Sequence, residues 1–166
     1  MPDDQIDLLL GQWRRERPDF DASPMGILGR LSILNRNLNE DVEAILKQHD
    51  LSFPEFDMLA VLRRFGPPFR QRVSDLCEHS FLSSGAMTNR VDRLERKGLI
   101  RREPNPEDRR GVLVVLTKKG RTLIDRVVAQ RLEVGKSQVS VLSKKDQQQL
   151  ATLLKRFMAS LMKEDA

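Results

Sequence analysis

The sequence predicts a mainly α-helical fold with one small β-hairpin. Three observations carry that prediction. Apolar residues recur every three or four positions along most of the chain, two aliphatic runs flank a turn-forming segment at 103–111, and residues 73–98 have room for two short helices ahead of it. With 166 residues and 39% hydrophobic content, the chain can form one compact domain, or a small core with extended arms, but falls short of two full domains.

The first helical pattern is Ile6, Leu9, Leu10 and Trp13, which share one face of a short helix that stops near Arg17 and Pro18. Ser23 followed by Pro24 offers an N-cap and a favoured first-turn proline. Ile27, Leu31, Leu34, Leu38, Val42 and Ile45 then sustain a helix of about 25 residues. Ser52-Phe53-Pro54-Glu55 has the form of a capping box, and the helix it opens ends at Phe65, before Gly66-Pro67-Pro68. Between 73 and 98 a break at Phe81-Leu82-Ser83 separates two short helices, with Ser83 placed to cap the second and Gly98 to close it. Residues 99–102 and 112–116 follow as strands, and Pro104, Pro106, Asp108, Arg109, Arg110 and Gly111 between them form the long basic tip of a hairpin. Thr117 caps a helix carrying Leu123, Ile124, Val127, Val128 and Leu132. The last helix starts at Ser143 and aligns Leu150, Leu153, Leu154, Phe157, Met158 and Leu161 on one stripe.

This order is a winged helix-turn-helix flanked by N- and C-terminal dimerisation helices, in a single domain spanning 1–166. The helical arms are 1–50, with an added N-terminal helix, and 118–166; the winged helix-turn-helix core is 51–117. Amphipathic stripes at both ends cannot all be buried against so small a centre, which points to a homodimer, with a monomeric helical bundle as the alternative.

Charge narrows the function. Residues 1–62 carry a net −6, residues 63–126 a net +8 and residues 127–166 a net +3. A basic block beside an acidic arm suggests a local surface for a polyanion. No uninterrupted apolar run exceeds five residues, against roughly 20 for a membrane span, and Met1-Pro2-Asp3-Asp4 is acidic where a secretory signal is basic, so a cytoplasmic protein is expected. Cys77 is the only cysteine and His49 and His79 the only histidines, so neither a disulfide nor a metal site is expected. Without a Gly-rich phosphate loop or a positioned nucleophile, no catalytic residue and no cofactor is assigned.

Stepping 100° per residue, with Met87, Val91 and Leu94 on the buried face, leaves Gly85, Asn89, Asp92, Arg93 and Arg96 outward on the second short helix. There Asn can pair with adenine and Arg with guanine in the major groove, while Ser83 and Ser84 donate to phosphates. The residues assigned to DNA are Ser83, Ser84, Gly85, Thr88, Asn89, Arg93 and Arg96, together with Asp108, Arg109 and Arg110 on the hairpin. Asp108 is placed to buttress one arginine by an ion pair while the other enters an adjacent minor groove; which is which stays open.

The run from Leu82 through Glu95, then Gly98-Leu99-Ile100, Asp108-Arg109-Arg110-Gly111 and Leu116-Thr117-Lys118-Lys119-Gly120, resembles the MarR family of winged-helix transcription regulators over roughly 25–160. The resemblance implies a homodimer joined through first and last helices, a palindromic double-stranded DNA operator and a small ligand that alters DNA affinity. The added first helix and Trp13-Arg14-Arg15-Glu16-Arg17-Pro18-Asp19 are similar to the PecS and urate-responsive branch, which implies an anionic effector such as urate bound by Trp13, Asp57, Arg64 and Arg90. Helix geometry agrees: Asp57 and Arg64 point the same way about 10.5 Å apart along their axis, and Arg90 lies only about 60° from the buried centre of its helix. Cationic donors, a carboxylate for ring N–H groups and an aromatic wall suit a urate-like or phenolic anion. The competing readings are an ordinary ion-pair network at these residues, a ligand-insensitive DNA-binding regulator, and a helix-mediated protein-interaction module.

Overall fold

The computed structural model describes residues 2–79, 87–106 and 108–161, the side chains of His79, Arg109 and Arg110 excepted. Mostly helical, it adds one small antiparallel sheet. The chain divides into two compact units, Met1–Phe53 and Pro54–Ala166.

In the first unit α1 (Gln5–Glu16) precedes α2 (Ser23–Gln48). A full capping box opens α1: Asp4 Oδ1 accepts from the backbone N–H groups of Ile6 (2.8 Å) and Asp7 (3.0 Å), and Asp7 Oδ2 accepts from that of Asp4 (3.1 Å). Arg30 of α2 grips both acids, at 2.8 Å from Asp4 and 2.7 Å from Asp7, and this guanidinium holds the Asp4 carboxyl below its ordinary range. The two helices meet closely because Gly29 has no side chain, where a Cβ would stand 2.7 Å from Ile6 Cδ1. The expected cap of α2 is corrected by one residue. Ser23 is already helical; Ala22 is the N-cap, and Asp21 Oδ1 takes the Ser23 N–H at 2.9 Å.

The second unit contains α3 (Phe53–Arg64, all but its first residue), β1 (Arg70–Arg72), α4 (Val73–His79), α5 (Met87–Arg96), β2 (Ile100–Asn105), β3 (Asp108–Leu116), α6 (Lys118–Val139) and α7 (Lys144–Leu161). The sheet order is β1-β3-β2, both pairings antiparallel. Leu59, Leu62, Leu76, Leu94, Val114 and Ile124 are wholly buried and form the centre of the core. The break expected at Phe81-Leu82-Ser83 lies outside the described residues.

The hairpin differs from the sequence expectation. Its strands run on to Asn105 and Asp108, which pair with each other. Asp108, Arg109 and Arg110 belong to β3, not to a long loop, and a register shift after Pro104 accommodates the extra residues as a bulge. Proline is tolerated in β2 because that strand is the sheet edge.

Three junctions hold α5, the hairpin and α6 together. Gly98, at φ +69°, ends α5 as a left-handed C′ residue, and Leu99 N–H reaches Leu94 O at 3.0 Å. Thr117 caps α6, its Oγ1 accepting from Gly120 N–H at 3.0 Å while donating to the Gly98 carbonyl at 2.8 Å. Gly120 lies directly against the backbone of Leu99, where an added Cβ would stand 2.1 Å from the carbonyl oxygen. Ser143 caps α7, accepting from Asp146 N–H at 3.2 Å. Among the described residues no helix is long and apolar enough to cross a membrane.

Because the obstructing atom at Gly120 is backbone, Gly120→Ala must displace α6 from the hairpin. Thermal unfolding should show a loss of about 1–3 kcal/mol, a fall in Tm of roughly 2–4 °C per kcal/mol.

Candidate functional site

Met87, Val91 and Leu94 bury one stripe of α5, as their spacing predicts. Thr88, Asn89, Arg93 and Arg96 are exposed, and the Arg93 side chain is 60% accessible. At 100° per residue Asn89, Arg93 and Arg96 fall within about 60° of one another on the face opposite the stripe. Ser83, Ser84 and Gly85 lie outside the described residues. Arg90 is half-buried, between stripe and exposed face.

Asp92 and Glu95 flank that cationic face, and their charge would repel a phosphate backbone. Arg102 of β2 offsets one of the two charges while pairing with both acids: its guanidinium reaches each carboxylate, and Glu95 Oε1 also accepts the Arg102 backbone N–H at 3.0 Å. The two carboxylates hold this guanidinium above its ordinary pKa, the Asp92 hydrogen bond first. The bond to Arg102 therefore does two things. It halves the negative charge beside the exposed face and ties the hairpin to the helix.

On the hairpin, Asp108 is exposed and its Oδ2 is 3.1 Å from where a Cβ at Gly111 would stand, with Asn105 equally close at 3.2 Å. Asn105 is buried beneath them. A glycine at 111 lets these two side chains share the inside of the bulge. Arg109 and Arg110 are placed by their backbone in β3; their side chains are outside the described residues.

Helix α3 carries Asp57 and Arg64, which share an azimuth but differ in burial. Asp57 is 2% exposed, whereas Arg64 ends the helix and is exposed. Trp13 belongs to the first unit, where its ring centroid is 6.2 Å from that of Phe20; Arg17 stacks on Phe20 at 3.7 Å and pairs with Asp19 at 2.6 Å.

Three residues that the sequence pattern does not single out as functional matter here. Glu55, 2% exposed, receives Lys97 Nζ at 3.2 Å on Oε1 and 3.3 Å on Oε2, with Arg93 Nε at 3.9 Å. It thereby ties α3 to the end of α5. Arg102 is the second. Its sequence cue is the pair Asp92 and Glu95, two acids interleaved with Arg93 and Arg96 on one short helix. The third, Arg131 of α6, stacks on the Phe56 ring at 4.6 Å and is half-buried. Burial lowers its pKa and the charge of Asp57 opposes that shift. Its cue is position: with Ile124 and Val127 it continues the buried stripe of α6.

A family model described as MarR family matches residues 49–111. The chain is 36% identical over 152 residues to the HTH-type transcriptional regulator PecS of Dickeya dadantii (strain 3937), covering 92% of each. Its fold is similar to the crystal structure of AbsC, a MarR family transcriptional regulator from Streptomyces coelicolor, with a TM-score of 0.76, 24% identity and coverage of 86% of this chain and 97% of that one. It is also similar to a mutant MarR from E. coli complexed with operator DNA, at TM-score 0.69 and 28% identity, covering 83% of this chain and 99% of that one.

Arg102→Ala should reduce affinity for duplex DNA by about tenfold, roughly 1.4 kcal/mol, in a fluorescence anisotropy titration. Arg101→Ala removes the same charge from the neighbouring position, where its partner is Glu103 on the same strand, and should cost less than about threefold. Equal losses in the two variants would show that charge alone matters and the clamp does not.

Proposed function

The chain belongs to the MarR family of transcriptional regulators, DNA-binding proteins rather than enzymes, and on that premise we propose that it is a homodimeric, cytoplasmic repressor of a palindromic operator, released by a small planar anion such as urate or a phenol. The observation that carries the DNA reading is the exposed face of Asn89, Arg93 and Arg96, beside which Arg102 pairs with both neighbouring acids and halves their charge. In this reading α5 enters the major groove through Thr88, Asn89, Arg93 and Arg96, preceded by Ser83, Ser84 and Gly85. Asp108, Arg109 and Arg110 follow the adjacent backbone or minor groove, on a hairpin short enough to hold them in place.

The dimer reading draws on α7, none of whose residues is buried. Leu150, Leu153, Phe157, Met158 and Leu161 are exposed along it, and Ile27, Leu28, Leu34 and Leu38 along α2. Apolar surface of this extent is buried by a partner, and a second copy supplies matching stripes. The arms, 1–50 and 118–166, would then form the dimer around two DNA-binding cores, 51–117, spaced to match two half-sites.

The effector reading draws on Asp57, Arg64 and Arg90, with Trp13 on the added helix. A buried carboxylate suits ring N–H donors, the arginines suit the ligand's anionic edge, and the indole offers a stacking wall. The ligand would act by biasing α3 and α5 toward a pose that no longer fits both half-sites.

Two measurements test these assignments. Operator binding in gel shifts should fall steeply with salt, and Arg109→Ala or Arg110→Ala should weaken it about tenfold while leaving effector binding intact. Unchanged operator affinity in both variants refutes the hairpin's role. Asp57→Ala should still bind the operator but no longer release it with urate; release at the wild-type urate concentration would remove Asp57 from the site.

A further inference from the structure

Two cations one helical turn apart approach the same buried oxygen. Glu55 is 2% exposed, and a carboxylate so far out of water must be compensated by charge or hydrogen bonds. Lys97 brings its ammonium to both of its oxygens, 3.2 Å from Oε1 and 3.3 Å from Oε2. Arg93 comes to the same Oε1, but its Nε stops at 3.9 Å, outside hydrogen-bond distance and well inside Coulomb range.

The backbone decides which cation is committed. Lys97 directly follows α5, and its N–H still closes on the Arg93 carbonyl at 3.1 Å, so the two side chains leave one face four residues apart. The Lys97 carbonyl accepts from Lys119 Nζ at 2.7 Å, and Gly98 turns the chain immediately afterwards. With its backbone held on both sides, Lys97 closes on Glu55 at little further entropic cost. Exposure records the outcome: the Lys97 side chain is 26% accessible and that of Arg93 60%.

We propose that Lys97 is a specificity-determining residue that acts through Arg93: by holding the Glu55 carboxylate it keeps the Arg93 guanidinium outward, where it can meet guanine. This inference rests on the reading of α5 in the major groove and adds to it the residue that decides whether Arg93 reaches a base. Without Lys97 the buried carboxylate loses the ammonium on both its oxygens, and a movement of Arg93 Nε by about 1 Å replaces it. An arginine drawn inward gives up the bidentate contact that separates guanine from the other bases.

The test uses the full chain, a duplex that the wild type enriches from a random-sequence library, and a scrambled duplex of the same composition; the readout is the ratio of the two affinities. Arg93→Ala should lower this ratio about tenfold. Lys97→Met, which keeps the aliphatic stem, should lower it by a similar factor. Adding Glu55→Gln to Lys97→Met should restore it to within about threefold of wild type, since an uncharged amide does not draw Arg93 in. Glu55→Gln alone should leave the ratio at or above the wild-type value, and this isosteric variant keeps the proposal testable if Lys97→Met does not fold. A ratio unchanged in Lys97→Met overturns the inference, whether affinity is intact or falls on both duplexes alike, as for a phosphate contact. A fall that the double variant does not recover overturns it too, as does a fall in Glu55→Gln alone, which makes the carboxylate a support for Arg93 and not its competitor. An undiminished ratio in Arg93→Ala removes Arg93 from base reading, and a wild type that enriches no duplex removes the DNA reading; either outcome takes the inference with it.

Discussion

The organisation of the second unit depends on two carboxylates that helix α3 takes out of water. Glu55 and Asp57 are each 2% exposed, and a buried carboxylate costs several kcal/mol unless a cation or hydrogen bonds compensate it. Residues two apart on a helix point about 160° away from each other, so one neighbouring element cannot serve both. Lys97 comes to Glu55 from the end of α5, and the charge of Arg131 reaches Asp57 from α6. Arg63 adds a second tie to α6 through Asp125 at 2.6 Å. The consequence is that α3 is held from two sides by charge as well as by its apolar residues. The pose of α5, and with it the exposed face of Asn89, Arg93 and Arg96, inherits that constraint.

Where the sequence was legible follows from the range of the interactions involved. The long helices repeat an apolar stripe every turn, and α6 and α7 also carry their own caps in Thr117 and Ser143, so local pattern alone reveals them. Strand β1 has no such pattern. Arg70-Gln71-Arg72 is polar throughout, and it is a strand only because β3 offers an edge to pair with, Arg70 to Val115 and Arg72 to Leu113. The hairpin was legible as a hairpin but not in length, since Pro104 is a strand breaker anywhere except at an edge, and edge position is a property of the assembled sheet. Among the site residues, the shared azimuth of Asp57 and Arg64 is helix arithmetic. Their unequal burial is not, because it depends on where α3 leaves the core.

The shortened hairpin changes what the element can do. A long basic loop would lose much conformational entropy on meeting DNA, whereas here the bulge that carries Arg109 and Arg110 is anchored on both sides, by the Asn105–Asp108 and Pro104–Val112 pairs. Buried Asn105, together with Asp108, fills the space beside Gly111 inside the bulge. At its other end the hairpin is tied by Arg102 to Asp92 and Glu95 and by Thr117 to Gly98. Helix and hairpin are thereby linked from both sides of the connecting Gly98, and their relative orientation is set within the unit before any DNA is met. That is preorganisation of the kind that converts contacts into affinity.

The same constraint on α3 bears on how a ligand could act at a distance. A carboxylate on a helix stands roughly 5–6 Å from the helix axis, so a rotation of about 10° moves it by roughly 1 Å. Glu55 and Asp57 belong to one helix and rotate together. If an anion entering beside Asp57 turned α3 by that amount, the 3.2 Å contact between Glu55 and Lys97 could lengthen beyond ion-pair distance without any element unfolding. Losing such a buried pair is on the scale of the 1–3 kcal/mol, or 5–150-fold, typical of coupling between sites. Linkage makes the effect symmetric: a ligand that weakens operator binding by a given factor is itself bound more weakly by the operator complex by that factor. On the proposed reading, helix α3 needs no large excursion to couple the two sites, because Glu55 and Asp57 turn together with the helix that carries them.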